Sequence, residues 1–341
     1  MTHSSLNSPT FLTPVEYNQA KPLSRPSVLI GGAIAAAAIA LIPAAALLAQ
    51  GAPAPFTVVE SGQGFGSLQA AVDAIGDGQG SIAIRSGTYR DCAVQKGGSV
   101  SYLASTAGDV VFDGGTCEGK AALVLRGQDA NIAGIVFKNM AVPDANGAGI
   151  RLEKGNLTIT QSWFLDSQQG ILTANGMPSR IVIDRSTFSG LGTCEGAGGC
   201  AHSIYIGRVA HLRVTRSRFE RGQGGHYVKS RAARTDVAAS SFDDSAGNAT
   251  NYMIDISNGS VGQITNNWFV QGRDKENYSA FIAVAPEGAE NTSNGLVIAG
   301  NDARFVPGLS RNSAFVADWS GHNLTIEDNN IAAGLKRYEK R

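Results

Sequence analysis

One short pattern recurs about eight times along this chain: an apolar residue, a second two residues on, Ser or Asn five residues on, and Phe seven residues on. Leu157, Ile159, Ser162 and Phe164 form one copy; Ile181, Ile183, Ser186, Phe188 and Leu212, Val214, Ser217, Phe219 form two more. Weaker copies end at Phe137, Phe242, Phe269, Ala303 and Ile331, so the last position steps by 27, 24, 31, 23, 27, 34 and 28 residues. A fixed motif at near-fixed spacing marks a solenoid, and the period of two within each copy makes its unit a β-strand. A coil of about 25 residues holds three short strands and three turns. The expected fold is therefore all-β: a single-stranded parallel β-helix of about 10 coils, with the apolar positions stacked into one continuous core. Ser162, Ser186, Ser217, Ser240, Asn267, Asn301 and Asn329 then fall at a turn and form a ladder, each side chain serving the next coil's backbone. The 42 glycines suit turns that need positive φ.

The clearest helical stretch runs from Ser67 to Ile75. Leu68, Val72 and Ile75 share a face, Ser67 is placed as N-cap, and Gly76 follows the end. It precedes the first coil, where a solenoid must cover its open end.

Several segments resemble the pectin-lyase-like right-handed parallel β-helix proteins: FGSLQAAVDAI and IRSGTY within 65–89, NGAGIR (146–151), HSIYIG (202–207), GGHYVKSRA (224–232) and YMIDISNG (252–259). The resemblance covers about 56–334, and the run GHYVKSRA followed by IDISNG is similar to a bacterial subgroup of that family. It implies a right-handed coil. It implies no single activity, since the superfamily holds polysaccharide lyases, hydrolases, epimerases and non-catalytic surface proteins.

Residues 28–49 carry no charge over 22 positions, enough to span a bilayer. Lys21 and Arg25 precede them and the next cation is Arg85, which predicts a cytoplasmic N-terminus. The expected organisation is a cytoplasmic tail (1–27), a signal anchor or signal peptide (28–50), a linker (51–56), the β-helix (57–335) and a basic tail (336–341). The β-helix is thus expected outside the cytoplasm, periplasmic or extracellular, held at the inner membrane by 28–49. Export permits disulfides. Cys92 and Cys117 lie 25 residues apart, about one coil, and Cys194 and Cys200 flank a Gly-rich insertion; of three possible pairings, Cys92–Cys117 with Cys194–Cys200 is favoured.

Net charge is zero, yet residues 208–234 hold eight Lys or Arg and one acid, while 235–272 hold four Asp and no Lys or Arg. Two readings fit: cross-coil ion pairing, or a basic band for an anionic chain. Nucleic acid is not expected as a partner, for lack of a stacking aromatic pattern, and a closed solenoid suggests a monomer.

Coil alignment locates the chemistry. Aligning the inward residues Ile150, Ile171, Ile204, Val228, Ile254 and Ile282 makes the following residues an outward column: Arg151, Leu172, Tyr205, Lys229, Asp255 and Ala283. Two places before the anchors, His202 and His226 stack in adjacent coils, and Arg231 lies two beyond Lys229. These groups suit β-elimination from a uronic acid polymer, which needs a cation on the substrate carboxylate, a base for the C5 proton and an acid for the leaving oxygen. The assignment is Arg231 on the carboxylate, Lys229 as base, and Tyr205 or His226 as acid, with Asp255 at the centre and His202, Arg151 and Arg208 binding substrate. A Lys base needs a depressed pKa; Arg231 pushes that way and Asp255 the other. An ordinary Lys229 would instead favour a non-catalytic glycan-binding or envelope scaffold. C5 epimerisation uses the same first step. A glycoside hydrolase is third, because Asp243-Asp244 follows Gly225-His226 rather than preceding it. No cofactor is expected; calcium remains an alternative, with Asp255 well placed and Asp243 and Asp244 near the preceding turn. The 191–201 insertion is placed to wall the cleft beside Tyr205.

Overall fold

The computed structural model describes residues 54–341. The tail, the uncharged 28–49 segment and most of the linker lie outside the described residues. Among the described residues no helix is long and apolar enough to cross a membrane.

The chain from 54 onward is a parallel β-helix. Its strands stack into three sheets of 12, 10 and 10 strands, each coil adding one strand to each sheet in turn. One sheet carries the Phe column in unbroken register: Phe112, Phe137, Phe164, Phe188, Phe219, Phe242, Phe269, Ala303, Ile331. The column thus begins one coil earlier than the repeat alone reveals, and Tyr89 precedes it in register. Ring centroids are 4.8 Å apart between Phe164 and Phe188 and 4.7 Å between Phe188 and Phe219, which matches the strand spacing of about 4.8 Å. Every one of these rings from Phe112 to Phe269 is buried.

The ladder is present and runs opposite to the expected sense. The Ser186 hydroxyl accepts from the Ser162 amide at 3.3 Å, Ser217 from Ser186, Ser240 from Ser217, Asn267 from Ser240, Asn301 from Asn267 and Asn329 from Asn301. Each side chain therefore serves the coil before it. The residue before each ladder position sits in the left-handed region, as Gln161, Arg185, Arg216, Ala239, Asn266 and Asp328 do, with φ from 45 to 56°. Non-glycine residues thus fill most of a corner where glycine was the natural expectation. The inter-coil bond and the Phe stack hold the strain there, which is about 1–2 kcal/mol per residue.

The helix Leu68–Ile75 forms as expected. The Ser67 hydroxyl accepts from the Ala70 amide, Gly76 ends it at φ 59°, and Leu68, Ala71 and Val72 are buried over the first coil. Strands Phe56–Val58 and Gln63–Phe65 close the same end by antiparallel pairing. At the other end, Lys336–Lys340 is a strand paired in parallel with Ala314–Asp318, so the basic residues read as a tail belong to the last rung. Both expected disulfides are formed, Cys92–Cys117 and Cys194–Cys200, and no described cysteine is free.

Candidate functional site

The third sheet sets the outward column in the aligned register: Arg151 beside Leu172, Leu172 beside Tyr205, Tyr205 beside Lys229, Lys229 beside Asp255, Asp255 beside Ala283. Just before Lys229 and Asp255, two consecutive residues join the core, Tyr227 with Val228 and Met253 with Ile254. This double inward step is what lets His226 and Lys229, three residues apart, share the outer face. His202 and His226 stack at 4.9 Å between ring centroids, and His226 and Tyr252 at 5.5 Å. An aromatic ladder thus runs beside the charged column.

Outward does not mean exposed here. Lys229 is 6% and Asp255 2% exposed. Lys229 Nζ donates to Asp255 Oδ2 at 2.8 Å and also to Glu287. Arg231 donates through Nε to the Tyr205 hydroxyl at 2.9 Å, through Nη1 to Asn258 at 2.6 Å, and through Nη2 to Glu287. Lys229 Nζ and Arg231 Cζ each lie 5.7 Å from the Tyr205 ring centroid. His226 Nε2 is 3.3 Å from Asp255 Oδ2. Tyr205, Lys229, Asp255, Arg231 and His226 therefore make one cluster, joined by Glu287, which has no place in the repeat and which the column reading did not supply.

Burial pulls the Lys229 ammonium down, but the charges of Asp255 and Glu287 outweigh it and hold Lys229 above its ordinary value. The depressed pKa that a Lys base needs is not present. Burial raises the Asp255 carboxyl, with Lys229 opposing. Burial, then the neighbouring positive charge, drives His226 and His202 well below the usual imidazole value, so both are neutral. His202 Nδ1 accepts from the His226 amide at 3.0 Å, which leaves its proton on Nε2. His226 Nδ1 and Asp255 Oδ1 are buried without a hydrogen-bond partner.

Arg208 stands at the end of the Tyr205 strand and forms a two-bond pair with Glu290, both at 2.6 Å. It shares with Arg231 a groove of about 420 Å³ that Met177 and Pro178 also line. Arg151 does not join the cluster: Leu172 separates it from Tyr205, and it lies 3.5 Å from Glu153 within a surface network of Lys120, Arg126 and Glu118. The insertion at 191–201 lines a different groove, beside Asp166 and Gln168, rather than the wall at Arg231. Seven of the eight cations in 208–234 hold carboxylates, so ion pairing accounts for most of the basic band.

The donors do not fit calcium. Asp244 is engaged elsewhere, fully buried against Lys275 at 3.0 Å and accepting from Tyr227 and Thr250. Asp255 and Glu287 both hold Lys229, and among the described residues no three His, Cys, Asp or Glu gather as a metal set.

No family model matches the chain, and no curated protein matches it in sequence. Solved structures do resemble it. An alginate lyase from Paenibacillus sp. str. FPU-7 superposes with a TM-score of 0.61 at 18% identity, covering 80% of this chain and 94% of that one. More distant are the PL6 family alginate lyase AlyGC (TM-score 0.41, 13% identity, 74% and 36% covered) and ORF18 of Geobacillus virus E2 (0.43, 14%, 80% and 55%). The first likeness establishes the fold this chain shares: a β-helix also built by an alginate lyase.

Proposed function

We propose that this protein is a polysaccharide lyase of the pectin-lyase-like superfamily that acts on a uronic-acid polymer outside the cytoplasm. The observation that carries this is the cluster of Tyr205, Lys229 and Arg231 on adjacent rungs: two cations and a phenol within reach of one sugar. The activity borne by the Paenibacillus neighbour supports it, and the two disulfides support an oxidising compartment.

The charge states revise the roles. Lys229 and Arg231 are both cationic, so together they neutralise the substrate carboxylate and acidify the C5 proton. For this step Tyr205 reacts as its phenolate, with the Arg231 guanidinium donating to it: the oxygen takes the C5 proton and becomes the phenol as the C4–O bond breaks and the C4–C5 double bond forms. The departing oxygen takes up a proton, which Tyr205 can return. His226 is neutral and stands beside Asp255, with Nε2 3.3 Å from Oδ2.

The test is near-ultraviolet absorbance of unsaturated uronate ends, with purified 55–341 and a panel of polyuronates. A rise is expected. Tyr205→Phe should lower kcat at least a hundredfold with KM little changed, and Lys229→Ala should raise KM. No rise on any polymer, with binding retained, would leave the second reading: a non-catalytic glycan-binding protein, which the raised Lys229 pKa favours.

A further inference from the structure

Residues 285–294 leave the strand Ala280–Val284 and fold back across the outer face of the cluster. Their backbone is pinned to the coil beneath: Ala285 N–H donates to Ile256 O at 2.8 Å, Glu287 N–H to Ser257 O at 3.0 Å, and Asn291 N–H to Asn258 O at 2.8 Å. Gly259, at φ 75°, allows this approach, for a Cβ there would meet Asn291 O at 2.4 Å. From this fixed strap two carboxylates reach the site's cations. Glu287 bridges Lys229 and Arg231, and Glu290 holds Arg208. These side chains are 40% and 47% exposed, whereas Lys229 and Arg231 behind Glu287 are 7% and 16% exposed. The carboxylates can therefore be exchanged from solvent while the backbone stays.

We infer that Glu287 and Glu290 are specificity-determining residues: internal carboxylates that occupy two neighbouring uronate stations and admit only ligands able to replace both. This rests on the reading of the cluster as a uronate site. Exchanging one carboxylate for another gains little, because each forms the same charge-assisted bonds. A single uronate must also meet the cost of lost translation and rotation, with no net ion pair in return. A polymer meets that cost once, fills both stations and adds sugar contacts, since its second carboxylate arrives at high effective concentration. An uncharged glycan leaves the strap's ion pairs standing across the sugar site. The strap thus converts a cationic site that would take any acid into one that selects consecutive uronates.

The experiment is calorimetric titration with a monouronate, a diuronate and a polyuronate, using the wild type, Glu290→Gln, and Glu287→Gln/Glu290→Gln, with Lys229→Ala beside them. Polymer is expected to bind the wild type, and the monouronate is not. In the double variant monouronate and diuronate should bind at least tenfold tighter than in the wild type, so that the preference for polymer shrinks. Glu290→Gln, which frees only the exposed Arg208, should give an intermediate change and secures the test if the double variant folds poorly. Unchanged or weaker short-ligand binding in both Gln variants, with polymer binding lost in Lys229→Ala, would overturn the strap's role and leave the site standing. Polymer binding that survives Lys229→Ala, or fails in every protein, would overturn both.

Discussion

His202 and His226 are imidazoles that the fold keeps uncharged, each burying a ring against the other. Their folded pKa values lie below the unfolded value of about 6.5, so the unfolded chain binds the extra protons. The stability tied to this is fully present above about pH 6.5 and is lost as pH falls from there, by up to about 1.4 kcal/mol per pH unit for each ring. Urea midpoints followed from neutral pH down to about 5.5 should drop, and His202→Gln/His226→Gln should flatten that slope; an unchanged slope would assign the acid sensitivity elsewhere. Both histidines could be found from sequence because they repeat at coil spacing. Glu287 and Glu290 could not, since they fall between repeat positions and read as ordinary solvated acids. The charge state of Lys229 was hidden for the same reason: one of its two carboxylates comes from 58 residues away.

Among elements, the Ser/Asn ladder shows how a corner without glycine is held. Ser217→Ala removes the acceptor of the buried Ser186 amide, and leaving that donor unpaired should cost about 1–3 kcal/mol. A denaturant titration that moves by less than about 0.5 kcal/mol would mean that the Phe stack alone fixes the corner. The ladder's existence is legible because seven Ser or Asn residues recur three places after a Val or Ile. Its direction is not, since a side chain at a turn lies equally near the coils on both sides. The double inward step before the site strands was also concealed, because Tyr227-Val228 and Met253-Ile254 look like plain apolar pairs until one sees that both members face the core.

The β-helix formed by the described residues is unequal at its two ends. At the first, antiparallel strands, the helix and the Cys92–Cys117 bridge close the stack. At the last, Thr325–Glu327 and Asn330–Ile331 hold no fully buried residue. A solenoid coil gains stability only from its neighbours, so fraying should start at the C-terminal rungs. Amide exchange is expected to be fastest in 325–341 and slow through 100–300; uniform exchange would mean that the stack opens all at once. A second inequality lies in coil length. Register holds from Phe112 to Ile331 although the step along the column ranges from 23 to 34 residues, so every surplus residue leaves the stack at a corner. The two longest steps, 31 and 34, contain the disulfide loop and the strap. Insertions and deletions at those corners are thus the changes a lineage can keep without touching the core, and the strap's corner lies against the cations of the proposed site. A gene for this fold can vary what the protein accepts by editing corner lengths while the strands and their stacked rings are inherited intact.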